Sequence, residues 1–346
     1  MGTAPPEASR TSLHAQYWDA LVAADRFAAL RAVKALKDGG CSTAELLDDL
    51  VVPAQQRIGD LWVSGEWGVA QEHAATAVNE GLVHWLCSFS APPSEEAPLV
   101  VVACVAGERH AMPALVVAEG LALEGLRVHY LGADPDPADL LAQVELLRPR
   151  AVLLSATLSA SLASTKALFA GVRALGVPVV VGGRAFGGDA RRAETLGATA
   201  YAPDVATAVR LVRELPPVDP GPAAAVGHPG EVEGGRIAER QHEIVPTVLG
   251  LLTADAGPTP GVSRAELVDH VRHVLGSLAA ALVSEDESIL VETRDWLAHL
   301  LTSRGAGPDL VARLWAAVGA ALGEQTTARR ALDRTAPGRL DVEVPA

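Results

Sequence analysis

Glu108 and His110 are the pair of residues whose types and spacing point most directly to chemistry. They lie in the segment Gly107-Glu108-Arg109-His110, which directly follows the apolar stretch 99–105. An imidazole is a good ligand for a transition metal, and a nearby carboxylate can hold the second ring nitrogen and fix the tautomer. We therefore expect His110 to be a metal ligand that Glu108 orients. The alternative is an ordinary solvated or packed histidine.

Trp62, Glu72 and His73 form a second group, at the junction of two predicted helices. Trp62 stands at the end of one helix, and Glu72 and His73 lie on the next one after nine intervening residues. An indole offers a ring for stacking, and a carboxylate accepts hydrogen bonds. The alternative places Trp62 and His73 in a helical core and Glu72 in solvent.

The elements that must position these residues follow from the hydrophobic periodicity. Residues 17–89 have helical spacing and predict a small four-helix bundle. After a Pro-rich stretch at 91–98, short apolar runs alternate with amphipathic helices up to about residue 215. This alternation predicts a doubly wound parallel α/β sheet, which presents ligands at the carboxyl ends of its strands. A further helical region follows a second Pro- and Gly-rich stretch, 216–235.

The chain therefore divides into three expected domains of the class α/β plus α. We expect a disordered N-terminus (1–13), a four-helix domain (14–92), the α/β domain (97–216), a linker (217–238), a C-terminal helical domain (239–335) and a tail (336–346). Ser263 and Pro308 are plausible helix starts in the last domain, and Gly305 is a plausible helix end.

The α/β segment resembles the B12-binding, flavodoxin-like domain of cobalamin proteins. The resemblance rests on Glu108-x-His110 after the first strand and on two later loops, Ser155-Ala156-Thr157-Leu158 and Gly182-Gly183. It implies that His110 is the lower axial ligand of cobalt, beside Glu108 and Arg109, and that Ser155, Thr157, Leu158, Gly182 and Gly183 line a slot for the nucleotide tail. The family pattern D/E-x-H-x-x-G has glycine where this sequence has Pro113.

The helical segment before it matches the W-x9-E-H signature of the B12-dependent light-responsive repressors, through Trp62, Glu72 and His73. The resemblance implies that this four-helix domain caps the other face of the corrin. An indole can stack over an adenosyl group, and a carboxylate can accept hydrogen bonds from ribose hydroxyls. The motif therefore suits adenosylcobalamin better than a methyl-bearing cobalamin.

The C-terminal helices distinguish this sequence from those repressors, which begin with a basic winged helix that is missing here. A cap and a B12 domain followed by a helical segment resemble the photocobilins, photoreceptors that hold adenosylcobalamin and biliverdin close together. The resemblance implies biliverdin as a second cofactor. The residues that could line its pocket are His270, His273, Arg294, Trp296 and His299, although a plain helical bundle would show the same pattern.

Composition narrows the partners. The formal net charge of -14 over 346 residues would repel a phosphate backbone, so nucleic acid is not an expected partner. Three widely spaced cysteines suggest neither disulfides nor a thiolate metal site, and no apolar run reaches the length of a membrane span. We expect a cytoplasmic protein that does not act at a membrane.

The expected function is light sensing without enzymatic activity. Photolysis of the cobalt–carbon bond would release the adenosyl group, move the cap and change the oligomeric state of a homo-oligomer that signals to an unknown downstream protein. The alternative is a corrinoid carrier protein of a cobalamin-dependent methyltransferase system, in which His110 tunes the cobalt. A third and weaker alternative is a subunit of an adenosylcobalamin mutase.

Overall fold

The computed structural model describes residues 7–219, 227–254, 261–307, 309–323 and 326–338. One compact unit comprises the chain up to Leu99 together with Met112–Tyr130, and the other comprises Val100–Ala111 and the chain from Leu131 onward. Pro308, the predicted helix start, lies outside the described residues, as do 1–6 of the predicted N-terminus and 339–346 of the predicted tail.

The described chain contains helices and strands in the following order, and none of these helices is long and apolar enough to cross a membrane. The elements are α1 Glu7–Val22, α2 Arg26–Asp38, α3 Thr43–Leu46, α4 Val52–Val63, α5 Val69–Cys87, β1 Leu99–Cys104, α6 Ala111–Leu123, β2 Arg127–Gly132, α7 Pro137–Leu147, β3 Ala151–Ser155, α8 Thr165–Ala174, β4 Val179–Gly182, α9 Arg191–Thr195, β5 Ala200–Tyr201, α10 Val205–Glu214, α11 Pro229–Glu239, α12 Gln241–Ala254, α13 Arg264–Val283, α14 Ser288–Ser303, α15 Leu310–Ala321 and α16 Thr326–Thr335.

The first unit contains the predicted four helices. A π-helical turn, Leu47–Val51, joins α3 and α4 into one continuous helix beside α1, α2 and α5. Ser42 begins this helix with a capping box to Glu45, and Asp25 caps α2. The prediction that residues 1–13 are disordered is wrong for residues 7–13. Because α1 is held by the buried turn Tyr17–Leu21, its hydrogen bonding propagates into the polar residues before it.

The sheet has five strands in the order β2-β1-β3-β4-β5. The pairs β1–β3, β3–β4 and β4–β5 are parallel, and the order is that of flavodoxin-like folds, as predicted. In the register, Cys104 pairs with Ser155 and Ser155 pairs with Gly182. The ends of three neighbouring strands therefore carry the loops to which the sequence assigned the ligand.

The C-terminal helices begin earlier than predicted. The expected linker 217–238 is wrong over residues 229–238, which form most of α11, while residues 220–226 lie outside the described part. His228 caps α11 by accepting a hydrogen bond from the backbone N–H of Glu231. Glycine allows α11 to lie close to α13, because a Cβ on Gly234 would stand 2.8 Å from the carbonyl oxygen of Ala279. Gly234, one of the glycines that suggested a linker, therefore serves helix packing.

Within the second unit, Arg192 of α9 forms ion pairs with acidic residues at the start of α14. Its guanidinium is buried; Nε lies 2.6 Å from the Asp286 carboxylate, and Nη2 lies 2.5 Å from that of Glu292. Nη1 also donates to the carbonyl oxygen of Ala185, in the loop after β4. The C-terminal helices are thus connected to the loop that contains Gly182 and Gly183.

Candidate ligand-binding site

The carboxylate of Glu108 is the centre of the site at the end of β1. It is fully buried, and its Oε1 lies 2.5 Å from Nδ1 of His110 and accepts the backbone N–H of the same residue at 2.8 Å. Its Oε2 accepts the backbone N–H groups of Thr157 and Leu158, at 2.6 and 2.8 Å. One carboxylate therefore joins the loop after β1 to the loop after β3.

These hydrogen bonds decide the ionisation of Glu108 and the tautomer of His110. Burial by itself would raise the pKa of Glu108, but the His110 side chain and the backbone N–H groups of Leu158 and His110 lower it below its ordinary value. An ionised acceptor at Nδ1 keeps the proton on that nitrogen and the lone pair on Nε2. The His110 side chain is 49% exposed, as a residue that accepts an external ligand requires. The structure thus places Glu108 against His110, while the role of Glu108 in orienting a metal ligand stays a prediction.

Asp134 also binds this loop, and the sequence analysis did not predict it as a site residue. Its Oδ1 accepts the backbone N–H of Gly107 at 2.6 Å, and its own N–H donates to the carbonyl oxygen of Glu108 at 2.9 Å. Gly107 has a φ of +80°, a conformation that favours glycine. The only available signal was the position of Asp134 just after β2, at the same edge of the sheet.

The departure from the family pattern at Pro113 has a local explanation. Pro113 lies in the first turn of α6, where the backbone N–H has no intrahelical acceptor, so proline costs no hydrogen bond there. Arg109, in the loop before α6, is exposed. Burial, then the charges of Glu108 and Asp134, raise the pKa of the Cys104 thiol to about 12, and the thiol contacts the carbonyl oxygen of His110.

Gly182, the last residue of β4, and Gly183, which follows it, are required by the protein's own backbone. A Cβ on Gly182 would lie 2.5 Å from the carbonyl oxygen of Ala202, and one on Gly183, whose φ is +101°, would lie 2.3 Å from that of Ala156. These contacts within the protein are sufficient to explain glycine at both positions. Ser155 is buried at the end of β3, next to Gly182 in the register.

The segment after β3 also packs against the C-terminal helices. Residues Ser159–Ser164 form a short 3-10 helix that lies along α13. A Cβ on Gly276 of α13 would stand 2.8 Å from the Cβ of Ala160, two residues after Leu158. A helix of the C-terminal domain thus abuts the loop that supplies two N–H groups to Glu108.

In the first unit, the residues of the W-x9-E-H motif lie at the end of α4 and in the first turns of α5. Trp62 is half-buried, the Glu72 side chain is 21% exposed and that of His73 is 73% exposed. Glu72 Oε2 lies 3.4 Å from His73 Nε2. The alternative that His73 belongs to a helical core is therefore wrong, and both polar side chains of the motif reach the surface.

The five residues proposed for a bilin divide into two groups. His273 and Trp296 are in contact, with ring centroids 4.9 Å apart, and His270 is buried with no hydrogen-bond partner for Nε2 among the described residues. Arg294 is buried and directed to Asp295 and to the carbonyl oxygen of Thr335, and His299 is exposed. The structure brings His273 and Trp296 together and gives Arg294 partners within the protein.

Comparison with known proteins identifies the two segments that carry these motifs. Residues 98–211 match the family model of the B12 binding domain, and residues 13–86 match a second model that is also described as a B12 binding domain. Neither match extends into α11–α16. A search of the curated proteins found no match.

The chain is also similar to solved structures of corrinoid proteins. The monomethylamine corrinoid protein of Methanosarcina barkeri is 19% identical, with a TM-score of 0.51 over 60% of this chain and 99% of that one, a likeness that shows the fold. Two further structures match with TM-scores of 0.32, too low for a structural argument. They are a cobalamin-binding protein from Desulfitobacterium hafniense DCB-2 (21% identity, 58% of this chain, 97% of that one) and a methanol:cobalamin methyltransferase complex from M. barkeri (18%, 62%, 83%). The chain therefore contains a B12 binding domain at residues 98–211 and a helical B12 binding domain at 13–86, which supports binding of a cobalamin cofactor.

Proposed function

We propose that this chain binds cobalamin with the imidazole of His110 as the lower axial ligand of cobalt. The observation that carries the proposal is the hydrogen bond of 2.5 Å from His110 to the buried Glu108 carboxylate, which the backbone of the next loop also holds. This arrangement fits a ligand that binds through Nε2, because Nδ1 is already held. A single histidine suffices, since a corrin ring supplies the equatorial ligands itself.

The loops after β3 and β4 are the proposed slot for the nucleotide tail. Ser155 and Gly182 are neighbours in the register, and Thr157, Leu158 and Gly183 follow them directly. The amides of Thr157 and Leu158 hold Glu108, so a tail in this slot would lie beside the residues that orient His110. The same loops would then contact the nucleotide tail and hold the residue that orients His110.

For the use of the cofactor, we propose light sensing, in which the chain itself catalyses no reaction. Support comes from the partly exposed Trp62, Glu72 and His73, whose ring and polar groups are suited to an adenosyl group. When bound, adenosylcobalamin supplies a cobalt–carbon bond that light cleaves. Loss of the adenosyl group would leave Glu72 and Trp62 without their ligand and shift the population toward another oligomeric state.

Biliverdin is the proposed second cofactor, in the C-terminal helices. Two observations support a polar, ring-lined site there: the contact between His273 and Trp296, and the buried Nε2 of His270, which has no hydrogen-bond partner within the described part of the chain. Arg294 is the weakest of the proposed propionate partners, because its guanidinium already binds Asp295. Absorbance of the purified chain in the red after incubation with biliverdin tests this assignment, and an unchanged bilin spectrum would exclude it.

A corrinoid carrier of a methyltransferase system is the second candidate. The comparisons favour it over light sensing, because the similar fold with a TM-score above 0.5 belongs to a monomethylamine corrinoid protein. That likeness covers 60% of this chain and therefore does not account for the rest. The two B12 matches do not include α11–α16 either. We propose light sensing as the first candidate because Trp62, Glu72 and His73 are suited to an adenosyl ligand, which a methyl carrier would not need.

Cobalamin ligation is tested by the substitution His110→Ala in the full chain. We expect loss of the histidine-ligated absorption spectrum and weaker retention of hydroxocobalamin on gel filtration. His242→Ala, at a side chain that is 77% exposed, should behave like the wild type. Full retention with an unchanged spectrum in His110→Ala would overturn the assignment.

The two uses are separated by the upper ligand. The chain is loaded in the dark with adenosylcobalamin or with methylcobalamin, and its spectrum and elution volume are measured before and after green light. Light sensing predicts tighter binding of the adenosyl form and a changed elution volume after illumination. Preference for methylcobalamin, with methyl transfer to or from a partner methyltransferase and an unchanged elution volume, would establish the carrier instead.

A further inference from the structure

A continuous series of four hydrogen bonds crosses the helical domain and ends at Glu72. The Tyr17 hydroxyl donates to Asn79 Oδ1 at 2.5 Å, and Asn79 Nδ2 donates to Gln55 Oε1 at 3.0 Å. Gln55 Nε2 donates to Thr76 Oγ1 at 2.8 Å, and Thr76 Oγ1 donates to Glu72 Oε1 at 3.0 Å. The series starts on α1, passes through α4 and α5, and joins a residue of the core to a carboxylate that reaches the surface.

The inner end of the series lies in the core. Tyr17 is 1% exposed and Asn79 is 0% exposed, among otherwise apolar side chains of α1, α2 and α5. Burial raises the pKa of Tyr17 far above its ordinary value, so its hydroxyl keeps its proton and donates. Apolar residues of similar size would fill this space without removing a phenol and an amide from water. A buried polar series of this kind specifies one arrangement of its members rather than adding bulk stability.

The carboxylate at the outer end fixes the direction of every bond. An ionised carboxylate only accepts, so Thr76 must give it the proton of its hydroxyl. The Thr76 oxygen must then accept from an N–H of Gln55, which turns the Gln55 carbonyl toward Asn79 Nδ2. Asn79 consequently presents Oδ1 to the Tyr17 hydroxyl, which donates. Each side chain therefore has one orientation in which its hydrogen bonds in the series are all made. Together these side chains hold Glu72 Oε1 at a defined place on α5.

We infer that Tyr17, Asn79, Gln55 and Thr76 are positioning residues for Glu72, which they hold as an acceptor for the hydroxyls of a nucleoside. The inference rests on the proposed function, in which Glu72 binds the adenosyl group. Glu72 Oε1 is held by Thr76, and Oε2 faces His73 at 3.4 Å, so the carboxylate cannot rotate without breaking one of these contacts. A fixed carboxylate recognises hydroxyls at a fixed distance, whereas a free one would bind them with an added cost in conformational entropy.

The test is the ratio of the dissociation constants for methylcobalamin and adenosylcobalamin, measured with the full chain in the dark. Thr76→Val removes the last hydrogen bond and keeps the shape of the side chain. It should lower the preference for adenosylcobalamin by about 3- to 10-fold. This is less than the full effect of a hydrogen bond to a charged group, because Thr76 acts on the nucleoside only through the position of Glu72. Thr76→Ser should restore the wild-type ratio, and Tyr17→Phe should lower it by a smaller factor, because four hydrogen bonds separate the lost donor from Glu72.

Thr43→Val is the matched control, because it removes a hydroxyl of the same domain that binds Lys37 and lies outside the series. It should leave the ratio unchanged. A purely structural role would weaken both cobalamins alike, and an unchanged ratio in both Thr76→Val and Tyr17→Phe would overturn the inference. Glu72→Gln distinguishes a failure of the adenosyl role of Glu72 from a failure of the positioning role of the other four residues. If it leaves the ratio unchanged, the adenosyl role of Glu72 fails; if it alone changes the ratio, only the positioning role fails.

Discussion

Gly276 of α13 faces Ala160 so closely that a Cβ added to Gly276 would stand 2.8 Å from the Cβ of Ala160. Ala160 follows Thr157 and Leu158, whose N–H groups hold the Glu108 carboxylate. The position of a C-terminal helix is thereby linked through one loop to the residue that orients His110.

This packing predicts an unfavourable effect of Gly276→Ala. Alanine in place of glycine within a helix normally stabilises by about 0.5–1 kcal/mol, but overpacking at this crossing should cost about 1–3 kcal/mol. Urea unfolding should show a net loss of stability, together with weaker cobalamin retention. Gly250→Ala is the control, since no described heavy atom lies within 4 Å of a Cβ on Gly250, and it should stabilise the protein. A stability gain in both variants would show that α13 and Ala160 tolerate the extra methyl group.

Glu108→Gln should weaken cobalamin binding by about 10- to 100-fold, the usual effect of losing the partner of a metal-ligating histidine. Each Glu108 oxygen accepts from two N–H groups, so a glutamine would turn its NH2 group toward two donors, either the two of His110 or those of Thr157 and Leu158. Titration with hydroxocobalamin measures the affinity. The control Glu214→Gln, at a side chain that is 63% exposed, should bind like the wild type. Equal affinities in the two variants would contradict the orienting role of Glu108.

The cluster around Arg192 predicts an order of stabilities. Replacing both acids (Asp286→Asn with Glu292→Gln) leaves a buried guanidinium without its counter-charges and should cost about 3–5 kcal/mol. Arg192→Met removes the buried charge itself and should cost less, since the remaining carboxylates are 31% and 53% exposed and can be hydrated. Denaturant unfolding compares the two, with Arg191→Met, at an 86% exposed side chain, as the neutral control. The reverse order would mean that Arg192 stabilises mainly through its packing.

His273 predicts a pH dependence of stability. Burial, then the nearby His270, lowers the pKa of His273 to about 4, against about 6.5 in the unfolded chain. The folded state therefore binds fewer protons between these values, and stability should fall as the pH falls from about 6.5 toward 4. His273 contributes a slope of at most about 1.4 kcal/mol per pH unit.

Urea midpoints at several pH values between 7.5 and 4.5 measure this slope. His273→Gln should make it shallower, although His270, whose pKa is also lowered by burial, keeps part of it. His242→Gln, at an exposed residue, should leave the slope as it is. Identical slopes in His273→Gln and the wild type would show that His273 is as easily protonated in the folded protein as in the unfolded one.

Local sequence patterns predicted most of the fold because the elements in question are long and periodic. The four main strands are apolar runs, and the capped helices carry Ser42, Asp25 and Ser263 at their starts. β5 was missed because two residues are too short for a period, and α11 was missed because Gly230 and Gly234 suggest a break. The helix-breaking tendency of those glycines is offset by close packing on α13, which no local pattern reveals.

By itself, the sequence determined the chemistry available at the end of β1, because Glu108 and His110 are separated by one residue and lie close together in any loop there. The tertiary structure decided what surrounds them. Thr157 and Asp134 reach the Glu108 loop only because parallel strands align their carboxyl ends. The series from Tyr17 to Glu72 exists only because three helices pack side by side, and its members, up to 62 residues apart along the chain, have no spacing that a sequence pattern could express.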